Sequence, residues 1–255
     1  MSPRLRERLL AALILLLPAP ALAQGAFLEG GISLARGDYV YTAPTSSGAA
    51  SLGLAYSSAR LTARVTVPYF VRDTRLLTVR GLEPIDPELV EPQTAQLTGS
   101  LADPVAQLFV QAHQGDRAAV GLSASVKIPV LAAGDFGTGS WDVGGGLSLS
   151  RFVGAGTLVG LDLGYWHLGD PPELDLRDTV TGTLTVGRPL GRLWTASVSL
   201  SGGRSAVAGY ADPWWTSVLV SRVFATGIWG LSTSVGITET APDFTLALIW
   251  RLRLN

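Results

Sequence analysis

From Gly137 to Trp166 the chain reads GTGSWDVGGGLSLSRFVGAGTLVGLDLGYW, and its apolar residues fall on every second position. Trp141, Val143, Leu147 and Leu149 share one side, with Asp142, Gly144, Gly146, Ser148 and Ser150 on the other. After a break at residues 152–156 the alternation resumes, with Val159, Leu161, Leu163 and Tyr165 opposite Gly160, Asp162 and Gly164. Two period-two segments of about ten residues joined by a short turn predict a long β-hairpin. Strands of that length are about twice the usual for a soluble sheet, and they match a bilayer crossed at a tilt. One face of such a hairpin needs oil and the other needs water.

Composition points the same way. Charged residues make up 15% of the 255-residue chain and 30 residues are glycine, so it is poor in charge and rich in glycine for a soluble domain. Beyond the first two dozen residues no apolar run reaches the 18 or so that a membrane helix requires. A hydrophobic chain without such a run must hide its apolar side chains by alternation, as barrel strands do. The formal charge is −1, which leaves no basic surface for nucleic acid. No cysteine is present, which fits an oxidising compartment and removes disulfides and thiolate metal sites.

The start of the chain predicts export. Arg4, Arg6 and Arg8 precede the apolar stretch LLAALILLL, then Pro18 and Pro20, then Ala21-Leu22-Ala23 before Gln24. This is the pattern of a cleaved secretory signal peptide over residues 1–23, with residues 24–255 as one barrel domain.

Taken in order, the remaining strands are expected as follows. The first lies within residues 24–41 and is bent. The second carries Ala50, Leu52, Leu54 and Tyr56 on one face, and the third Leu61, Ala63, Val65, Val67 and Tyr69. Residues 71–103, rich in Pro and Glu, have no periodicity and read as a long extracellular loop, acting as a lid or plug. Further strands carry Leu108 and Val110; Val120, Leu122, Val126, Ile128 and Val130; Val180, Leu184 and Val186; and Trp194, Ala196, Val198 and Leu200. The last three run over residues 214–224, 228–238 and 244–254. With the central hairpin the count is twelve, or ten if the region before Gly48 does not pair. The expected fold is an all-β, transmembrane, antiparallel up-and-down barrel. Short connections fall on one side, as periplasmic turns do.

The aliphatic parity of each strand gives the aromatic residues a partly independent test. Lipid-facing rings settle at both headgroup levels. At one rim the outward positions are Tyr69, Trp141, Tyr165, Trp214 and Phe244; at the other they are Tyr56, Trp194, Phe224 and Trp229, with Trp250 deeper. Trp214 to Phe224 spans roughly 33 Å of strand, or about 25 Å of height at a typical tilt, which is the apolar band.

The opposite parity collects Ser and Thr together with Arg64, Gln107, Phe109, Gln111, Lys127, Asp162, Trp166, Arg251 and Arg253. Twelve strands enclose more space than side chains fill, so these residues are expected to line a lumen. Mixed charges there would act on polar solutes, while Phe109 and Trp166 would suit aromatic or amphipathic ones. The partners expected are the outer-membrane bilayer with its lipopolysaccharide, the barrel-assembly machinery and a small-molecule solute, with no cofactor or metal.

A lipid hydrolase would need a serine and a histidine together on the outer wall. Of the two histidines, His113 sits in a short turn with inward register. His167 faces outward, but Ser148 and Ser150 on the neighbouring strand face inward. No catalytic residues are therefore expected. The glycine-rich GDFGTGSWDVGGG lacks the Lys-Ser/Thr of a phosphate loop and opens a strand.

Several motifs resemble an outer-membrane family labelled after the meta-pathway of phenol degradation, whose members are transporter-like. They are Lys127-Ile128-Pro129 closing a strand, Gly137-Thr138-Gly139, Asp142 opening the hairpin, Gly164-Tyr165 near its end, and Val67-Pro68-Tyr69 earlier. The resemblance spans residues 47–189. It departs at Val130-Leu131, where Thr-Gly follows the proline in the family, and at the terminal Asn255. It implies a channel for passive passage of small, often aromatic, compounds, and carries no catalytic residues. The other reading of the residues themselves is a non-conducting barrel that displays its loops.

Overall fold

The computed structural model describes residues 24–37, 45–73, 97–131, 139–154, 156–170 and 176–254. The described residues form thirteen strands: β1 (Gly25–Gly37), β2 (Thr45–Ser57), β3 (Leu61–Asp73), β4 (Leu97–Leu101), β5 (Val105–Gln114), β6 (Ala118–Lys127), β7 (Asp142–Val153), β8 (Thr157–His167), β9 (Thr179–Pro189), β10 (Trp194–Gly203), β11 (Trp214–Phe224), β12 (Gly227–Gly236) and β13 (Phe244–Leu254). Each strand pairs antiparallel with its neighbours, and β1 joins both β2 and β13, so the sheet closes on itself. β4 and β5 both pair with β3, β4 at Tyr69–Asp73 and β5 at Leu61–Thr66. They are one wall position interrupted by a break, which makes twelve positions around the barrel. The ten-strand alternative is excluded because β1 pairs along its whole length.

Alternation explains why these segments become strands. Along every wall position the apolar parity faces out, and Leu34, Leu54 and Tyr56 are 63%, 62% and 59% exposed to the surroundings. Among the described residues only Phe27, Ala55, Ala102, Leu158, Val223 and Ala241 are buried hydrophobics. A folded chain with so small an apolar core and so large an apolar exterior is stable only where lipid covers that exterior. No helix among the described residues is long and apolar enough to cross a membrane; the crossing is made by strands.

Two local features depart from the sequence expectations. The aperiodic stretch 71–103 is strand at both ends, because β3 continues to Asp73 and β4 begins at Leu97. Five residues beside a Pro- and Glu-rich stretch are too few for their alternation to register. Residues 74–96 of the expected loop, and the expected leader over 1–23, lie outside the described residues. The second departure is a bulge in β5 between Gln111 and His113, where the register shifts against β6. The extra residue reverses parity, so His113 pairs with lipid-facing Val120 and is exposed, not inward as the alternation predicted.

Backbone hydrogen bonds of Ala102 and Pro104 hold the break between β4 and β5, and one carboxylate adds to them. Asp103 is 3% exposed, and its Oδ1 accepts hydrogen bonds from the backbone N–H groups of Val130 and Leu131, both at 3.0 Å. Those donors lie just past the end of β6, where the ladder has stopped. Asp103→Ala leaves both N–H groups without that acceptor and is expected to destabilise the barrel by about 2–4 kcal/mol. Urea unfolding in lipid vesicles, followed by tryptophan fluorescence, measures the loss; an unchanged midpoint excludes the clamp.

Candidate functional site

The register places all nine residues expected at the lumen on the inner face of the wall. At the periplasmic end, marked by the short turns, they gather around a residue that sequence reasoning missed. Glu29 of β1 lies opposite Arg251 of β13, and Arg64 of β3 is one strand beyond β2. One Glu29 oxygen is 3.2 Å from Arg251 Nε, in an ion pair whose angle makes no hydrogen bond. The other is 3.7 Å from Arg64 Nη1. Arg64 Nε donates to Gln107 Oε1 at 2.7 Å, and Arg251 Nη2 donates to Ser57 Oγ at 2.7 Å. The Arg251 guanidinium also sits 4.0 Å from the centroid of the Phe27 ring. Two guanidiniums share one carboxylate, so this part of the wall carries net positive charge.

Many of the buried residues lie toward that end. Phe27, Ala55, Ser57, Thr62, Gln111, Leu158, Thr195, Ser197, Ser221 and Val223 are all buried. Gln111 Nε2 spends its hydrogens on the carbonyls of His113 and Val120, which secures the bulge and leaves it little for a solute. Arg253 stands beside Gly25 at the end of the wall and does not join the Glu29 cluster among the described contacts.

Further round, hydroxyl pairs knit adjacent strands: Thr183 to Ser201 at 3.0 Å, Thr185 with Ser199 at 2.8 Å and Thr195 with Ser221 at 2.6 Å. Ser148 Oγ donates to Asp162 Oδ1, so that serine is committed to the inner wall. Lys127 Nζ pairs with Asp142 Oδ2 at 2.7 Å near the other rim.

Phe109 and Trp166 of the inner wall each set a ring over a glycine. A Cβ at Gly121 would fall 2.2 Å from Phe109 Cζ, and one at Gly144 would fall 2.6 Å from Trp166 Cδ2. The inner parity adds Phe70, Trp215, Leu219 and Ile249, none of which the sequence reading singled out. Their inward parity follows from the same alternation that sets the outward faces.

On the outer face Tyr56, Tyr69, Trp141, Tyr165, Trp194, Trp214, Phe224, Trp229 and Phe244 are all exposed, and Trp250 lies with its ring 5.8 Å from that of Trp229. His167 does have a carboxylate partner, supplied by the next strand: its Nδ1 is 2.8 Å from Asp178 Oδ1, while Tyr165 Oη donates to Asp178 Oδ2. No serine or threonine hydroxyl is among the described partners of that histidine. The Tyr165 hydrogen bond, then that of His167, holds Asp178 below its ordinary value of 3.8. A depressed carboxylate contributes stability above its unfolded pKa and loses it as pH falls through the folded value. The contact should therefore hold through the neutral range and be lost only as pH falls below 3.8, through the lowered folded value. Carboxyl-carbon NMR in micelles should show Asp178 titrating higher in Tyr165→Phe, and less so in His167→Gln; no change in the first variant excludes the bond.

A closed antiparallel barrel with an apolar, aromatic-rimmed exterior and a polar interior is an outer-membrane β-barrel. Solved structures agree at the level of fold. The chain is similar to the COG4313 outer membrane channel from Pseudomonas putida F1, with a TM-score of 0.70 at 14% identity, over 91% of this chain and 97% of that one. It is also similar to a deltaS2S3 mutant of TodX, a monoaromatic hydrocarbon channel, with a TM-score of 0.51 at 8% identity, over 91% of each chain. No family model matches the sequence, and no curated protein matches it.

Proposed function

We propose that this barrel is a passive outer-membrane channel for small molecules, hydrophobic or aromatic compounds among them. The observation that carries the reading is the pairing of Phe109 with Gly121 and Trp166 with Gly144. Each glycine lets a ring lie against the wall, offering apolar surface without filling the lumen. An aromatic solute could slide from ring to ring while its polar edge meets the Ser and Thr hydroxyls between them. The Glu29, Arg64 and Arg251 cluster adds net positive charge to the wall, favouring neutral or weakly anionic solutes over cations. Arg64, Gln107, Phe109, Gln111, Lys127, Asp162, Trp166, Arg251 and Arg253 are the residues assigned to the lumen.

The motif resemblance over residues 47–189 supports placing the chain with the phenol meta-pathway family. Export through a cleaved leader, insertion by the barrel-assembly machinery and contact with lipopolysaccharide belong to the same reading. Catalysis does not: Ser148 is turned inward and hydrogen-bonded to Asp162, across the wall from His167. The close packing at the periplasmic end favours one rival, a closed barrel that displays its loops. Planar-bilayer recording separates them. A channel gives steps of current that toluene or phenol reduces, and Phe109→Ala with Trp166→Ala weakens that block. A barrel without measurable current is the rival.

A further inference from the structure

Arg222 breaks the apolar parity of the outer wall. It lies on the lipid-facing side of β11, two residues before Phe224, at the periplasmic rim. Its neighbours across the strands make one row: Trp194 on β10, Arg222, Trp229 on β12 and Trp250 on β13. The guanidinium carbon is 5.2 Å from the Trp194 ring centroid and 4.8 Å from that of Phe224, while Nε is buried with no hydrogen-bond partner among the described residues. Ring faces attract the cation but accept none of its hydrogen bonds in line. A guanidinium held so beside hydrocarbon needs an oxygen acceptor, and its fork matches a phosphate.

The surroundings fit that acceptor. Arg188 of β9 faces the same side, opposite Ala196 of β10, and Ala196 in turn lies opposite Val220 of β11. The small Ala196 thus leaves a shallow floor between the two arginines, bounded toward the periplasm by Trp194. Along the lipid-facing periplasmic ends of the strands Arg151, Arg188 and Arg222 occur without an acidic residue among the described strand positions; Asp116 lies outside the strands, in the β5–β6 turn. Lipid A phosphates lie at the opposite rim, about 25 Å away in height.

We infer that Arg222, flanked by Trp194 and Phe224 and assisted by Arg188, is a binding site for the phosphate of an anionic glycerophospholipid in the periplasmic leaflet. The guanidinium reaches toward the headgroup, its stem staying on the apolar wall, and the acyl chain covers Ala196. The site is independent of whether the lumen conducts.

Native mass spectrometry of the detergent-solubilised barrel tests it, with dioleoyl phosphatidylglycerol and dioleoyl phosphatidylcholine as probes. The unmodified protein should retain phosphatidylglycerol at least tenfold more tightly. Arg222→Gln should erase that preference, and Arg36→Gln at the other rim should leave it intact. Equal retention of both lipids, a preference that survives Arg222→Gln, or one lost only in Arg36→Gln overturns the assignment. A second measurement needs no arginine variant. In vesicles, acyl-brominated phosphatidylglycerol should quench tryptophan fluorescence more than the brominated choline lipid does, and Trp194→Phe should remove the difference. Equal quenching overturns the site.

Discussion

Glu29→Gln should make the lumen distinctly more anion-selective and the barrel less stable. In the native wall one carboxylate lies 3.2 Å from Arg251 and 3.7 Å from Arg64, and all three groups are partly shielded from water. Gross attraction at such distances is about 4–5 kcal/mol per pair at an effective dielectric of 20, most of it offset by desolvation. Removing the carboxylate alone keeps the desolvation and loses the attraction, so the cost should be about 2–3 kcal/mol, somewhat below that of a fully buried pair. The two arginines do not leave: Ser57 and Phe27 hold one and Gln107 holds the other. Their uncompensated charge then faces the lumen. Reversal potentials in a potassium chloride gradient should move several-fold toward chloride permeability, and urea midpoints in vesicles should fall. A selectivity unchanged from the parent removes this cluster from the solute path.

Gly144→Val and Gly121→Val should narrow the channel by displacing the rings that lie over these glycines. The added Cβ would stand 2.6 Å and 2.2 Å from the Trp166 and Phe109 rings, well inside van der Waals contact. The strands on either side are fixed by their ladders, so each ring can yield only toward the lumen. Overpacking of this kind costs about 1–3 kcal/mol, and the displaced ring should lower conductance by about twofold. Pairing Gly121→Val with Phe109→Ala should restore the current, because the obstruction is the ring and not the valine. If the double variant conducts no better than the single one, Phe109 does not border the path. The coupling between the two sites is the quantity to report.

Much of this architecture was legible before any coordinates. Alternation along β7 and β8 placed Val143 and Leu149 outside and Asp142, Ser148 and Asp162 inside, as the paired register has them. Parity is a local property: a strand exposes successive side chains on opposite faces whatever its neighbours do. The aromatic rims followed from the same rule. The exceptions were places where the period itself is broken. The bulge at Gln111/His113 inserts one residue and turns His113 outward, and β4 is too short to show a period.

What alternation could not provide was who meets whom across the wall. Glu29 and Arg251 are 222 positions apart in a chain that closes only when its first and last strands pair, and Arg64 joins them from a third strand. The same holds for Asp178 reaching His167, Asp103 capping the end of β6, and Arg222 settling among rings from β10 and β11. The order of residues by itself determined the strands other than β4 and, away from the bulge, their two faces, because these depend on spacing within one extended segment. Closure and register, which only the tertiary structure decided, set which charges share a partner and which rings lie on glycine, because those contacts depend on how far one strand is shifted against the next.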